Sequence, residues 1–188
     1  MGPVAVIDAC VLYQPSLRDL FMWLAVEMVY QPRWTNRIHD EWIRNVNINR
    51  SDIPVARLER TRALMDRIND ESLVMGYEAR IPAVTLPDPD DRHVLAAAIE
   101  ANASLIVTFN LSDFPNAIVR SYGIRAVHPD RFLCGLFNDE QSLFLHSLRA
   151  HRASLKNPPK TGEEYLGTLK TNGLVKLALR VEPFLPSV

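Results

Sequence analysis

Short apolar runs alternate with longer helical patterns along the first two thirds of the chain. Residues 4–7 form a continuous apolar run that ends at Asp8, and residues 104–109 form a second run rich in β-branched side chains. Runs of this kind are typical of strands that are buried on both faces. Shorter strands are predicted at residues 81–86 and 124–127.

Apolar residues at three- and four-residue steps predict helices between these strands. The clearest helix starts at Asp88, which is placed as an N-cap with Pro89 in the first helical position. Strands that alternate with helices at this spacing indicate a parallel sheet covered on both faces, with right-handed crossovers. The helix from Asp88 continues to about Asn102, and the others begin near residue 16 or cover about 36–47, 54–69 and 116–122.

After Pro129 the hydrophobic pattern is that of helices alone. It predicts helices over residues 131–137 and 139–155, followed by two shorter ones. We therefore predict two units along the chain. The first is an α/β domain over residues 1–137, and the second is a helical C-terminal extension over residues 138–188.

Composition narrows the possible functions. The 188 residues carry a formal net charge of -1, so no overall field attracts nucleic acid or an anionic membrane. The most apolar stretch, residues 20–30, is too short to span a bilayer, and a secretory signal is not recognisable at the N-terminus. The two cysteines, Cys10 and Cys134, are expected to be small buried hydrophobic residues. We expect a cytoplasmic protein with no membrane partner.

Five aspartates fall just beyond predicted strands or in the turns that follow them: Asp8, Asp88, Asp90, Asp91 and Asp113. Each alone has an ordinary explanation as a cap or a turn former. In a parallel sheet, however, these positions meet at one edge, where binding sites form. Like charges at close range repel, so such a cluster needs a cation or shared protons. Oxygen ligands without Cys or His at matching spacing favour Mg²⁺ or Mn²⁺, which activate water for attack on a phosphodiester.

Four segments resemble, in order and spacing, the motif series of PIN-domain ribonucleases, especially the VapC-type toxins of bacterial toxin–antitoxin modules. They are residues 6–12 (VIDACVL), 40–45 (DEWIRN), 88–98 (DPDDRHVLAAA) and 106–115 (IVTFNLSDFP). The resemblance covers roughly residues 4–128, and its last two motifs are far more specific than a lone aspartate. It implies a PIN-like three-layer α/β/α fold with a central parallel sheet. In that family three or four acidic residues bind Mg²⁺ or Mn²⁺ and hydrolyse RNA.

Mapped by motif, the metal-binding and catalytic residues that the resemblance implies are Asp8, Glu41 and Asp91. Helical phase favours Glu41 over Asp40, because Glu41 borders an apolar face whereas Asp40 groups with polar residues. Helical phase does not decide whether Asp90 or Asp91 is the ligand. The family spacing favours Asp91 as the ligand and leaves Asp90 as a supporting residue.

The fourth acidic position departs from the commonest family pattern. Asn110 stands where many relatives carry Asp directly after the strand, and Asp113 is expected to take its place as the fourth catalytic ligand. Asn110 offers only a neutral carbonyl oxygen as a supporting ligand. The sequence therefore leaves open whether the site binds one metal ion or two. Thr108 resembles the family's hydroxyl residue that supports the cluster by hydrogen bonding, although a role as a β-branched strand filler fits it equally.

The resemblance implies a metal-dependent endoribonuclease that acts as the toxin of a toxin–antitoxin module. RNA, often transfer RNA, is the implied substrate, and a VapB-like antitoxin and a second copy of the chain are the implied partners. The alternative, suggested by Asn110, is a PIN scaffold that binds RNA or protein without cutting. The sequence argues against a phosphatase of the haloacid dehalogenase type, because that chemistry needs a second Asp at the position of Cys10.

Overall fold

Four short parallel strands form the central sheet of the computed structural model, which describes residues 2–187. Their order across the sheet is β2-β1-β3-β4, with Val6 opposite both Arg33 and Ile106, and Ile106 opposite Ala126. The predicted fold class, an α/β fold with a central parallel sheet and a helical C-terminal part, is confirmed. The strands are β1 (Val4–Ile7), β2 (Gln31–Arg33), β3 (Leu105–Val107) and β4 (Arg125–Val127).

The two central strands are those with the most apolar sequences. Ala5, Val6 and Ile7 of β1 are fully buried, as are Ile106 and Val107 of β3. Burial on both faces requires apolar side chains at every position, which is why these strands read as continuous runs and not as alternating ones. Asp8 follows directly from the end of β1, and Thr108 follows directly from the end of β3.

Helices cover the sheet and link its strands. The helix predicted from Asp88 begins as a 3₁₀ turn over Pro89–Asp91 and continues as an α-helix that packs against β1 and β3. The helix predicted over 54–69 ends at Met65. The helices that precede β4 are α1 (Ala9–Leu12), α2 (Pro15–Val26), α3 (Asn36–Asn49), α4 (Val55–Met65), α5 (Arg92–Glu100) and α6 (Asn116–Val119).

The strand predicted at residues 81–86 is wrong. That region belongs to a 3₁₀ segment, Tyr77–Ala83, which is entered through Gly76 with a positive φ of 78° and followed by an extended stretch outside the sheet. Pro82 has no N–H to donate to a neighbouring strand, and only Val84 and Leu86 of the apolar run are buried. The segment packs against α5 as a covering loop.

Four further helices follow β4, as the change in pattern predicted. The predicted boundary between residues 137 and 138 falls inside the first of them. These helices are α7 (Pro129–Asp139), α8 (Gln141–Ser154), α9 (Gly162–Thr171) and α10 (Val175–Val181). No helix within residues 2–187 combines the length and the apolar character needed to cross a membrane.

The C-terminal helices share one hydrophobic core with the α/β part. Phe132 of α7 stacks on Phe21 of α2 with ring centroids 6.0 Å apart, and meets Tyr30 edge-on at 5.4 Å. Asn172, at the end of α9, donates a hydrogen bond of 2.8 Å to the hydroxyl of Ser16. Folding of the C-terminal helices is therefore coupled to folding of the sheet, because neither part buries its apolar surface alone.

Candidate active site

Asp8 is the first acidic residue of the site and follows β1 directly. Its side chain is buried, and its Oδ1 accepts a hydrogen bond of 2.7 Å from the backbone N–H of Ala9. Asp8 is the N-cap of α1, so the abrupt end of the strand places its carboxylate at the carboxyl edge of the sheet.

The second carboxylate oxygen of Asp8 is held by two neighbouring side chains. The Thr108 hydroxyl donates a hydrogen bond of 2.7 Å to Oδ2, and the Cys10 thiol donates one of 3.1 Å. Burial and the charge of Asp8 raise the pKa of the Cys10 thiol to about 12, so the thiol keeps its proton and remains a donor. Thr108 itself accepts a hydrogen bond of 3.0 Å from the Asn110 N–H, which fixes the direction of its own proton.

Asp91 lies where the charges of the other acidic residues converge. Burial raises the pKa of its carboxyl to about 7, together with the negative charges of Asp8, Asp113, Asp88 and Glu41. Burial is the larger cause of this shift, and the charges of the four carboxylates add to it. The structure therefore brings the four predicted acidic residues, with Asp88 in addition, to one edge of the sheet.

Glu41 reaches the site from α3 and is held by two basic side chains. Its Oε1 lies 3.1 Å from His93 Nε2 and 3.3 Å from Arg37 Nε. Burial alone would raise the pKa of Glu41, but His93 and Arg37 outweigh it and lower the pKa below its ordinary value. Glu41 is therefore ionised over a wider pH range than Asp91.

The two acidic residues that precede Glu41 and Asp91 in the sequence each pair with an arginine. Asp40 forms a salt bridge of 2.8 Å with Arg62, on the side of α3 that faces α4. Asp90 is exposed, contacts Arg37 at 3.7 Å, and is not among the charges that raise the pKa of Asp91. Asp90 is thus a rim residue whose side chain contacts Arg37 and whose backbone N–H donates to Asp88.

An open cavity of about 530 Å³ lies beside the acidic cluster. Its lining combines four acidic residues with two cations and an amide: Asp40, Glu41, Asp90 and Asp91 with Arg37, Arg44 and Asn45. The cavity therefore places positive side chains next to carboxylates. This arrangement suits an anionic ligand whose reacting atom sits close to a bound cation.

Comparison with known proteins identifies the fold that carries this cluster. The sequence matches the family described as PIN domain over residues 4–112, which is more than half of the chain. The chain therefore belongs to the PIN-domain family. Residues 129–183 match a second family, described as VapC50 C-terminal domain. The resemblance to VapC-type PIN proteins is confirmed by these two matches.

A curated relative agrees with the assignment to the PIN-domain family. A stretch of 43 residues is 56% identical to the Mycobacterium tuberculosis (strain H37Rv) protein named "Putative ribonuclease VapC50". The match covers 23% of this PIN-domain chain and 25% of that protein, so the chain spans about a quarter of the relative's length. No solved structure matches the chain.

The donor set of the PIN-domain site fits a hard divalent cation. Within residues 2–187, none of Asp8, Asp88, Asp91 and Asp113 forms a salt bridge, although their charges converge. Oxygen ligands in this state favour Mg²⁺ or Mn²⁺. In the same described range, no three His, Cys, Asp or Glu side chains are close enough together to surround an ion as they stand. Binding would therefore require the carboxylates to draw together.

Three residues of the PIN-domain site were not predicted to act there. His93 contacts Glu41, and its position two residues after Asp91 is the signal that points to it. Cys10 was expected to be a hydrophobic filler, yet its thiol donates to Asp8 two residues before it. Arg37 could have been found from its spacing, because it precedes Glu41 by four residues on one helix.

The raised pKa of Asp91 predicts how pH changes the stability of the PIN-domain fold. The folded carboxyl keeps its proton up to about pH 7, whereas the unfolded one releases it near pH 4. The folded state thus binds more protons in this window, so the Asp91 contribution to the free energy of unfolding decreases as pH rises from about 4 to 7. We expect Asp91→Asn to match the wild type in Tm near pH 4 and to exceed it at pH 8.

Thermal unfolding in EDTA, followed by circular dichroism across this pH range, measures the difference. Asp90→Asn is the matched control, because Asp90 is exposed and its Tm profile should follow the wild type. If the difference in Tm between Asp91→Asn and the wild type stays constant from pH 4 to pH 8, the prediction is contradicted.

Proposed function

We propose that this chain is a metal-dependent endoribonuclease and the toxin of a toxin–antitoxin module. The observation that carries the proposal is the convergence of carboxylate charge on Asp91 at the carboxyl edge of a PIN-domain sheet. The name of the Mycobacterium tuberculosis relative supports ribonuclease chemistry, and the C-terminal family match supports the VapC type.

In this proposal Asp8, Glu41, Asp91 and Asp113 hold Mg²⁺ or Mn²⁺. The ion, when bound, supplies the positive charge that activates water and stabilises the oxygen leaving the phosphodiester. The chain's own residues then have positional roles. Thr108 orients the Asp8 carboxylate by the hydrogen bond to Oδ2.

The outer part of the cavity would bind the RNA backbone. Arg37 and Arg44 line the same cavity as Glu41 and Asp91, and in this proposal their guanidinium groups bind a phosphate next to the reacting one. Arg37 also fixes Glu41, so it links substrate binding to the ligand set. We further propose that the substrate is RNA, with transfer RNA as a candidate, that a VapB-like antitoxin and a second copy of the chain are partners, and that the protein acts in the cytoplasm.

Cleavage of labelled total RNA by the purified chain tests the proposal. The reaction is run with Mg²⁺, with Mn²⁺ and with EDTA, beside Asp8→Asn purified in the same way. Cleavage should require the ion and disappear in the variant, because Asn cannot supply the negative charge of the buried carboxylate.

Two results would contradict the enzyme proposal. Equal cleavage by Asp8→Asn would assign the activity to a contaminant or to another site. RNA binding without cleavage under all three conditions would favour the alternative, a PIN scaffold that binds without cutting, to which the Asn110 departure points.

Thr108→Val is expected to lower the cleavage rate by about tenfold or more, as is typical when a residue that orients a ligand is lost. Valine has nearly the shape of threonine but cannot donate to Asp8 Oδ2, and Thr108 is fully buried. Thr108→Ser keeps the hydroxyl and should recover most of the rate. If the valine variant cleaves RNA as fast as the serine variant, Thr108 is a strand filler with no role in orienting Asp8.

A further inference from the structure

A second cavity lies along the free edge of the sheet, away from the carboxylates. Its volume is about 390 Å³, and it extends along β4 to Ser104, which precedes β3, and to Pro3, which precedes β1. The cavity therefore reaches the amino ends of the strands, whereas Asp8 and Asp113 follow the carboxyl ends. None of its lining residues lines the cavity beside the acidic cluster. We call it the arginine cleft.

Three arginines from three separate elements line the arginine cleft. Arg120 belongs to the 3₁₀ turn Arg120–Tyr122, Arg125 begins β4, and Arg131 lies in the first turns of α7. Within residues 2–187 none of the three forms a salt bridge, and the cleft has one acidic lining residue, Asp139. All three arginines are exposed, so their guanidinium groups are accessible to an anion that enters the cleft.

The exposed edge of β4 adds a backbone donor to these cations. In a parallel ladder, alternate residues direct their N–H and C=O groups to the same neighbour. Arg125 N–H donates to Ser104 C=O at 3.0 Å, and Val127 C=O accepts from Thr108 N–H at 3.1 Å, so both residues face β3. Ala126 between them lines the cleft and directs its N–H to the free edge.

The size and the walls of the cleft define its ligand more closely than charge alone. A cavity of about 390 Å³ is larger than a phosphate ion needs and falls in the range that small organic ligands occupy. Leu105, Phe132 and Leu136 contribute apolar surface, and Asn116 offers an amide for polar recognition. The ligand should therefore carry a doubly charged phosphate at one end and a flat or apolar group at the other.

We propose that the arginine cleft binds a nucleotide-sized phosphomonoester. Arginine is the side chain best suited to a phosphate, because its planar guanidinium donates two parallel hydrogen bonds to two oxygens. A free mononucleotide and the terminal phosphate of an RNA share this chemistry. The site is separate from the carboxylate cluster and does not depend on the ribonuclease proposal.

Isothermal titration calorimetry at low salt tests the proposal with AMP, adenosine and inorganic phosphate as probes. The wild type should bind AMP more tightly than phosphate and should not bind adenosine. The double variant Arg125→Gln/Arg131→Gln should weaken AMP binding by about tenfold or more. Arg149→Gln is the matched control, because Arg149 is an exposed arginine of α8 outside the cleft and its loss should leave AMP binding unchanged.

The source of the phosphate is found by competition against AMP in the Asp8→Asn background. A short RNA with a 5′-phosphate that displaces AMP, while the same RNA with a 5′-hydroxyl does not, identifies an RNA end as a ligand. Failure of the phosphorylated RNA to compete identifies the free nucleotide. Absence of AMP binding by the wild type, or equal binding by the double variant, overturns the proposal. If Asp8→Asn still binds AMP but does not cleave RNA, the arginine cleft works independently of the proposed ribonuclease site, so the two proposals can fail separately.

Discussion

Replacing Asp91 with asparagine is expected to lower RNA cleavage by roughly 10³-fold or more, an effect typical of losing a charged group from a catalytic centre. The charges of the other carboxylates raise the pKa of Asp91, which indicates that they surround it. Replacing its carboxylate with an amide therefore removes a negative charge from the middle of the proposed ligand set. The fold should persist and become more stable near neutral pH, because repulsion from Asp8 and the other acidic residues is removed. Single-turnover cleavage of a labelled RNA, measured beside thermal unfolding, records both effects.

The neighbouring residue provides the control for this experiment. Asp90→Asn makes the same chemical change one position earlier, but the Asp90 side chain is exposed and, within residues 2–187, its one salt bridge is with Arg37. We expect its cleavage rate to stay within a few-fold of the wild type. Equal losses in Asp90→Asn and Asp91→Asn would mean that net negative charge at this edge matters and that Asp91 has no special place in the site.

Replacing Asp130 with alanine is expected to lower the free energy of unfolding by about 2–4 kcal/mol, since it leaves one buried and one partly buried backbone donor without a partner. The carboxylate of Asp130, in α7, accepts hydrogen bonds of 2.9 Å from the N–H groups of Lys176 and Leu177. These are first-turn amides of α10, so a buried charge on one helix caps the start of another. For a chain of this length the corresponding decrease in Tm is roughly 5–15 °C.

Asp139→Ala is the matched control for the Asp130 variant. Asp139 lies at the end of the same helix, is exposed, and forms no salt bridge with any described residue. Urea unfolding should give it a midpoint close to that of the wild type. An Asp130→Ala variant as stable as Asp139→Ala would show that water replaces the two hydrogen bonds. The carboxylate would then not stabilise the start of α10.

The features that could be predicted from the sequence are those with a local physical signature. Strands β1 and β3 are apolar at every position because both of their faces are buried, and Asp8 marks where the first one ends. Asp88 accepts a hydrogen bond from the Asp90 N–H, as expected of a cap at the start of a helix. The positions of Asp8 and Asp113 at one edge then follow from the parallel topology, because the carboxyl ends of β1 and β3 meet there, whereas Asp91 follows a segment that is not a strand.

The features that could not be predicted depend on contacts between distant segments. β2 has only three residues and contains Pro32, so it carries no hydrophobic period, and its position is set by pairing with β1. The contact of His93 with Glu41 joins two helices that are about fifty residues apart in sequence, and a single histidine gives no sign of its partner. The segment around Ile81 has the apolar content of a strand, but the sheet offers it no neighbour.

The single hydrophobic core that unites the α/β part with the C-terminal helices has a consequence for genetic selection. If the chain is toxic when expressed without the proposed antitoxin, surviving clones will carry inactivating substitutions. These should not be confined to the acidic cluster, because residues such as Leu148 and Leu177 are fully buried in the same core. Survivors with a substitution beyond residue 129 should keep every carboxylate of the acidic cluster and lose activity because less soluble protein accumulates. On immunoblots they should therefore show less protein than survivors with a substitution at Asp8 or Asp91.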